Sequence, residues 1–181
     1  MSNFINQKIK LAVKEAEKIS NKLEIDSYPV KIEDVAKSLG IKVAKMKFSK
    51  DEISGAIKMK GKDGQPVIVV NEDHCEHRQR FTIAHEIGHF MLHNISSMHV
   101  DSSDVYFRDA NATSNTNNIK EIQANQFAAE LLMPRNEMIN DLSGKYKIKN
   151  NDDDLKTIAE LAKKYNVSQQ AMMIRIGSLV I

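Results

Sequence analysis

The chain has 181 residues, 41% of them apolar, so its length fits one domain with a sizeable buried core. Its 26 basic and 24 acidic residues leave a net charge of +2, and this near balance argues against a dedicated nucleic-acid-binding protein. The single cysteine, Cys75, excludes an internal disulfide framework, and the apolar runs fall far short of the roughly 20 residues that span a bilayer. The N-terminal sequence MSNFINQKIK lacks the apolar stretch of a signal peptide, so we expect a soluble, cytoplasmic protein.

The charge is distributed unevenly along the chain. Residues 1–50 carry a net charge of +5, residues 51–144 a net charge of −6, and residues 145–181 a net charge of +3. An acidic middle segment suits a cation site better than a groove for a polyanion, but a charge run is most often only a solvated face.

Two helices are predicted in the N-terminal part of the chain. Residues 4–24 place their apolar side chains at helical spacing and predict one amphipathic helix. Tyr28-Pro29 ends that pattern, and Ile32–Leu39 predicts a short second helix that Gly40 terminates.

Three segments predict the strands of a small antiparallel sheet. They are Ile41–Phe48, Ile53–Lys60 with alternating apolar side chains, and the apolar stretch Pro66–Val70. Asp63-Gly64 is typical of a tight hairpin turn, because glycine accepts a positive φ. If Ser54–Lys60 lies at the edge of the sheet, its backbone can pair with an extended substrate.

Helices dominate the second half of the chain. A long helix is predicted to about His93, and the polar segment 94–118 is typical of a surface loop or lid. Four further helices follow, at residues 119–132, 135–142, 152–165 and 168–178. The fold class is therefore α+β, with a three-stranded antiparallel sheet packed on helices. We assign residues 1–144 to the core and residues 145–181 to a C-terminal helical segment packed on it.

The motif His85-Glu86-Ile87-Gly88-His89 is HExxH within the long predicted helix. Residues four apart share one face of a helix, about 6 Å apart along its axis, so both histidines can direct a ring nitrogen at one cation. Glu86 projects toward the same side, where it can reach a water but is not placed as a third ligand. Gly88 costs up to about 1 kcal/mol relative to alanine in a helix, which indicates close approach of another chain or a substrate. The alternative interpretation is two surface histidines on an exposed helix.

A catalytic zinc site needs three protein ligands and one open position. Glu121 is the best candidate for the third ligand, and Asn125, four residues later, can hydrogen-bond the second ring nitrogen of a ligand histidine. The competing interpretation of Glu121 is a solvated carboxylate near a helix N-terminus.

Three further residues are candidates for contacts with the substrate or the oxyanion. His93 follows His89 by four residues but lies about 12 Å along the axis from His85, so it lines the cleft or is structural rather than a ligand. Tyr106 and Arg108, in the polar segment, are candidate oxyanion donors.

Two segments resemble the ImmA/IrrE family of zinc metallopeptidases. They are RFTIAHEIGHFMLH (80–93) and EIQANQFAAELLMP (121–134), and the resemblance covers roughly residues 28–134 with a weaker echo at 165–179. It implies a zincin-like core that holds one Zn²⁺ through His85, His89 and Glu121, with Glu86 as the general base. Family members typically act in bacterial cells on helix-turn-helix repressors of phages or mobile elements, or in stress responses. The resemblance therefore implies an endopeptidase with such a repressor as its partner and no membrane partner.

Two alternatives to the peptidase remain. Residues 158–168 resemble the start of a helix-turn-helix, which would make the protein a DNA-binding regulator, but the following helix is too apolar to favour base contacts. A catalytically silent interaction module of the same fold is the other alternative, and the intact HExxH motif counts against it.

Overall fold

The computed structural model describes residues 2–49, 53–61, 63–93, 95, 98–102, 116–146, 148 and 154–180. Within these ranges the chain forms seven helices and four strands, which confirms the α+β class. The strands are β1 (Lys42–Met46), β2 (Ile53–Lys58), β3 (Val67–Asn71) and β4 (Met98–Ser102). The helices are α1 (Ser2–Lys22), α2 (Ile32–Ser38), α3 (Glu76–Leu92), α4 (Thr116–Leu132), α5 (Arg135–Ser143), α6 (Asp154–Tyr165) and α7 (Gln169–Val180).

The sheet is mixed and has the strand order β1-β3-β2-β4. The hairpin of β2 and β3 is antiparallel as expected, with Gly64 at a φ of 81° in its turn. β1, however, pairs with β3 in parallel, with Val43 opposite Ile68. A fourth strand, β4, pairs with β2 from within the segment that was expected to be a loop. The prediction of a purely antiparallel, three-stranded sheet was therefore wrong, because alternating apolar side chains identify a strand but not the strand with which it pairs.

The sheet packs on α3, which forms the middle layer of the molecule. Ile57 and Ile68 of the sheet are fully buried, as is Ile87 of α3. A Cβ at Gly55 of β2 would lie 2.5 Å from Cγ2 of Thr82, so the strand approaches the helix as closely as a backbone without a side chain allows. α4 packs against α3, and α1 lies along α4. The core therefore encloses the helix that carries the HExxH motif.

The C-terminal helices contact the rest of the chain through polar groups. Arg175 of α7 is 6% exposed; its Nε donates to the carbonyl of Met133 at 2.9 Å, and its Nη2 pairs with the buried Glu130 of α4. At the turn between α6 and α7, Asn166 donates through Nδ2 to Glu76 at 2.6 Å and accepts through its carbonyl from Arg80 at 3.3 Å. The division into residues 1–144 and 145–181 stays a prediction.

Within the described residues, no helix combines the length and the apolar composition that crossing a bilayer requires.

The ion pair of Arg175 and Glu130 makes the stability of the fold testable. Arg175→Met would leave the Glu130 carboxylate buried without its cation, so we expect the free energy of unfolding in urea to fall by about 3–5 kcal/mol. The control is Lys18→Met, which removes the exposed pair of Lys18 and Glu15 and should cost less than about 1 kcal/mol. Equal, small effects of the two substitutions would show that the buried pair does not hold α7 in place.

Candidate metal centre

α3 carries its polar motif into the interior of the protein. All residues from Thr82 to His89 are buried, and His85, Glu86 and His89 are 1%, 0% and 1% exposed. Two surface histidines on an exposed helix are therefore excluded. Buried imidazoles and a buried carboxylate are costly unless they are paired or hold a cation, so this helix is built around a polar site.

Two imidazoles and one carboxylate converge on one point. His85 Nε2 lies 3.2 Å from Glu121 Oε2, His89 Nε2 lies 3.3 Å from Glu121 Oε1, and the two Nε2 atoms are 2.9 Å apart. One ligand atom from each of the three residues lies within 4.8 Å of the other two. Tetrahedral zinc with bonds of about 2.0–2.1 Å separates its ligands by roughly 3.4 Å, so this donor set fits a zinc ion.

Glu121 comes from α4, which approaches α3 closely at Gly88. A Cβ on Gly88 would lie 3.2 Å from Cα and 3.3 Å from the carbonyl oxygen of Ala124, and 3.1 Å from Cδ1 of Phe127. The glycine therefore accommodates α4 of the same chain, and the expected approach of a second chain or a substrate was wrong. Glu121 is 18% exposed in its side chain, so the solvated-carboxylate interpretation also fails.

Asn125 supports His85 from the side opposite Glu121. Its Oδ1 lies 2.9 Å from His85 Nδ1, so Nδ1–H donates to the amide oxygen and Nε2 keeps a lone pair on the side of Glu121. The i, i+4 spacing places Asn125 and Glu121 on the same face of α4, as expected from the sequence.

His93 lies behind His89, on the side of the ring away from Glu121. Its Nδ1 is 3.2 Å from His89 Nδ1, and its Nε2 is 3.4 Å from Gln123 Oε1. This placement favours a supporting role over the contact with substrate or oxyanion that the sequence suggested. Tyr106 and Arg108, the other two candidates for such contacts, lie outside the described residues.

Gln123 is a site residue that the sequence analysis missed. It is 8% exposed, and its Nε2 donates to the carbonyl oxygen of Lys8 in α1 at 3.1 Å. A usable signal was present in the sequence: Ile119 and Phe127, four residues to either side on the same helical face, are both apolar, which places Gln123 on a buried face.

Comparisons with known proteins relate the chain to a family of peptidases. Residues 36–176 match the peptidase family described as the IrrE N-terminal-like domain. The chain is also 35% identical over 111 residues to the radiation response metalloprotease IrrE of Deinococcus deserti. That alignment covers 61% of this chain and 36% of the relative, so the chain matches little more than a third of the relative's length.

The close contact at Gly88 leads to a test by substitution. Gly88→Ala adds a methyl group against backbone atoms of α4, so we expect a net loss of about 1 kcal/mol in unfolding free energy despite the better helix propensity of alanine. Gly177→Ala is the matched control, since a Cβ at this exposed position of α7 meets nothing within 4 Å. The control should gain about 0.5–1 kcal/mol. Stabilisation by both substitutions would show that α4 yields at the contact.

Proposed function

The chain belongs to the ImmA/IrrE family of metallopeptidases, and we propose that it is a zinc-dependent endopeptidase that cleaves one specific intracellular protein. The substrate class that we propose is a helix-turn-helix transcriptional repressor of a phage, a mobile element or a stress response. The observation that carries the proposal is the convergence of His85, His89 and Glu121 within 4.8 Å.

Zinc is the metal that this donor set suits best, at one ion per chain. Two neutral imidazoles and one carboxylate form a three-ligand set of the kind found in catalytic zinc sites, which keep a further position open for water or substrate. Oxygen-rich sites for calcium or magnesium use carboxylate and carbonyl groups instead of imidazoles. Bound zinc would polarise the scissile carbonyl group and lower the pKa of a water next to it.

Glu86 is the residue that we propose to move the proton. Its side chain is fully buried, and the residue directly follows the proposed ligand His85 in the sequence. A carboxylate held there can take a proton from the attacking water and then return it to the leaving amine. Asn125 meanwhile holds the His85 ring in its orientation through the hydrogen bond to Nδ1.

The substrate would approach an edge of the sheet. β2 is paired with β3 on one side and with β4 on the other, so Ser54–Lys60 is not the free edge that the sequence analysis considered. β4 (Met98–Ser102) is the outer strand next to β2, and β2 lies on α3. We propose that an extended segment of the substrate adds to β4 through main-chain hydrogen bonds.

The repressor as substrate rests on the family and not on a contact in this structure. Members of the ImmA/IrrE family typically act on helix-turn-helix repressors or in stress responses, and the relative in Deinococcus deserti is named for a radiation response. A repressor is a cytoplasmic partner, so the proposal places this protein in the cytoplasm as well.

A DNA-binding regulator is the weaker alternative. α6 and α7 are joined by a short turn in which Asn166 has a φ of 50°, an arrangement that resembles a helix-turn-helix. The cation of α7, Arg175, is buried against Glu130, and Lys164 of α6 donates to both carboxylate oxygens of Asp141 at 2.6 Å. Lys156 and Lys163 of α6 are exposed, but α7, the helix that would enter the groove, has its cation engaged within the protein, which favours packing over base or phosphate contact.

The variant Glu86→Gln distinguishes the role of Glu86 in cleavage from a role in metal binding. We expect it to keep its zinc and to cleave at least about 10²-fold more slowly, because the amide cannot accept the proton. The measurement is co-expression with a helix-turn-helix repressor encoded beside this gene, with fragments followed on a gel. Specific fragments should appear with the wild type only.

Two outcomes would contradict parts of the proposal. Unchanged proteolysis by purified Glu86→Gln would remove Glu86 from its catalytic role. A repressor that stays intact while the wild type cleaves another, unfolded protein would reject the repressor as substrate and leave the peptidase activity standing.

Glu121→Ala tests the third ligand. We expect most of the zinc to be lost after dialysis, because two ligands hold the ion far less tightly than three. Elemental analysis of the purified protein measures the ratio of zinc to chain, and Glu160→Ala, at an exposed position of α6, is the control. A ratio near one in Glu121→Ala would exclude Glu121 as a ligand.

A further inference from the structure

His89 differs from His85 in what holds its second ring nitrogen. His85 Nδ1 meets the amide oxygen of Asn125, whereas His89 Nδ1 meets another imidazole, that of His93, at 3.2 Å. His93 is the C-cap residue that follows α3, and its backbone N–H donates to the carbonyl oxygen of His89 at 3.0 Å. Backbone and side chain therefore join the same two residues across the last turn of the helix.

The hydrogen bonds from His89 through His93 and Gln123 end at the carbonyl oxygen of Lys8, and this last acceptor determines the direction of each of them. The carbonyl oxygen of Lys8 can only accept, so the amide group of Gln123 must turn its NH₂ toward α1, as the 3.1 Å contact shows. Oε1 of Gln123 then faces His93 Nε2 at 3.4 Å and accepts from it. With its proton on Nε2, a neutral His93 presents a lone pair at Nδ1.

The position of the proton on His93 also determines where His89 carries its own proton. A lone pair on His93 Nδ1 requires that His89 Nδ1 carry the proton and donate, which leaves His89 Nε2 unprotonated. Nε2 is the atom that lies 3.3 Å from Glu121 Oε1, on the side where the ligand atoms converge. A carbonyl oxygen of α1 thus selects the tautomer of His89 through two intervening side chains.

We propose that His93 and Gln123 are positioning residues that orient His89 and fix its metal-binding tautomer. The proposal rests on the zinc site of the proposed function. The relay is His89–His93–Gln123–Lys8 carbonyl, and it runs from the buried site toward a cleft of about 450 Å³ between α1, α3 and α4. The cleft is lined in part by Lys8, His93 and Gln123 themselves. His85 needs no such relay, because Asn125 accepts from it directly.

The test compares two substitutions of His93. His93→Leu removes the acceptor, and we expect the dissociation constant for zinc, measured by competition with a chelator, to rise about 10–100-fold. His93→Asn places an amide oxygen near the position of Nδ1 and should recover most of that loss. Lys120→Met is the control, since Lys120 lines the same cleft without belonging to the relay. Gln123→Leu should weaken zinc binding less than His93→Leu does.

A second measurement separates positioning from general structural damage. In the zinc-loaded wild type, NMR of the ¹⁵N-labelled protein should show a His89 Nδ1–H that exchanges slowly with solvent. That proton should exchange rapidly in His93→Leu and slowly again in His93→Asn. Unfolding in the presence of chelator reports any loss of stability that does not involve the metal.

The outcomes distinguish this inference from the proposed function. A wild type that binds no zinc would overturn both. A wild type that binds zinc through Glu121, together with His93→Leu that binds it equally tightly, would overturn the relay alone. Equal loss in His93→Leu and His93→Asn would also reject it, because the acceptor would then not be what matters.

Discussion

The contact between Gly88 of α3 and Ala124 of α4 is the constraint on which the site depends. His85 and Glu121 each lie three residues before their contact residue, and His89 and Asn125 each lie one residue after theirs. The donor atoms can therefore meet only if the two helix backbones come close together at this point. A side chain on Gly88 would separate the helices and with them the carboxylate from the imidazoles. The close packing of α3 on α4 therefore sets the geometry of the polar site.

The polar site is stable in the interior because its groups are held from several directions. The sheet covers one side of α3, α4 covers another, and Gln123 connects the site to α1. The imidazoles of His85 and His89 each have a hydrogen-bonding partner on the nitrogen that faces away from Glu121. Both rings consequently direct lone pairs toward the same carboxylate, and such a concentration of negative charge and lone pairs calls for a cation.

The sequence identified the parts of the site that follow from helical periodicity. His85 and His89, and likewise Glu121 and Asn125, share a face because residues four apart do so in any α-helix. Pairing between strands obeys no such local rule, so the parallel partner of β1 and the strand Met98–Ser102 were not predictable from alternation. The contact of Gln123 could not be predicted for a related reason: its partner, the carbonyl of Lys8, lies 115 residues away in sequence. Gly88 gave a correct signal of close approach, but local sequence could not say which element approaches.

α1 lies outside residues 36–176, the span that matches the family, yet it packs along α4 and buries Ala12, Ala16 and Ile19. The span that matches the family is thus shorter than the domain that packs around one core. A fragment cut at the homology boundary would expose apolar surface on α4 to water and strip the amide of Gln123 of its acceptor. Such a fragment should aggregate or fail to bind the proposed zinc ion even though every residue of the HExxH motif remained in it. Boundaries for expression are better taken from the buried face of α1 than from the extent of similarity.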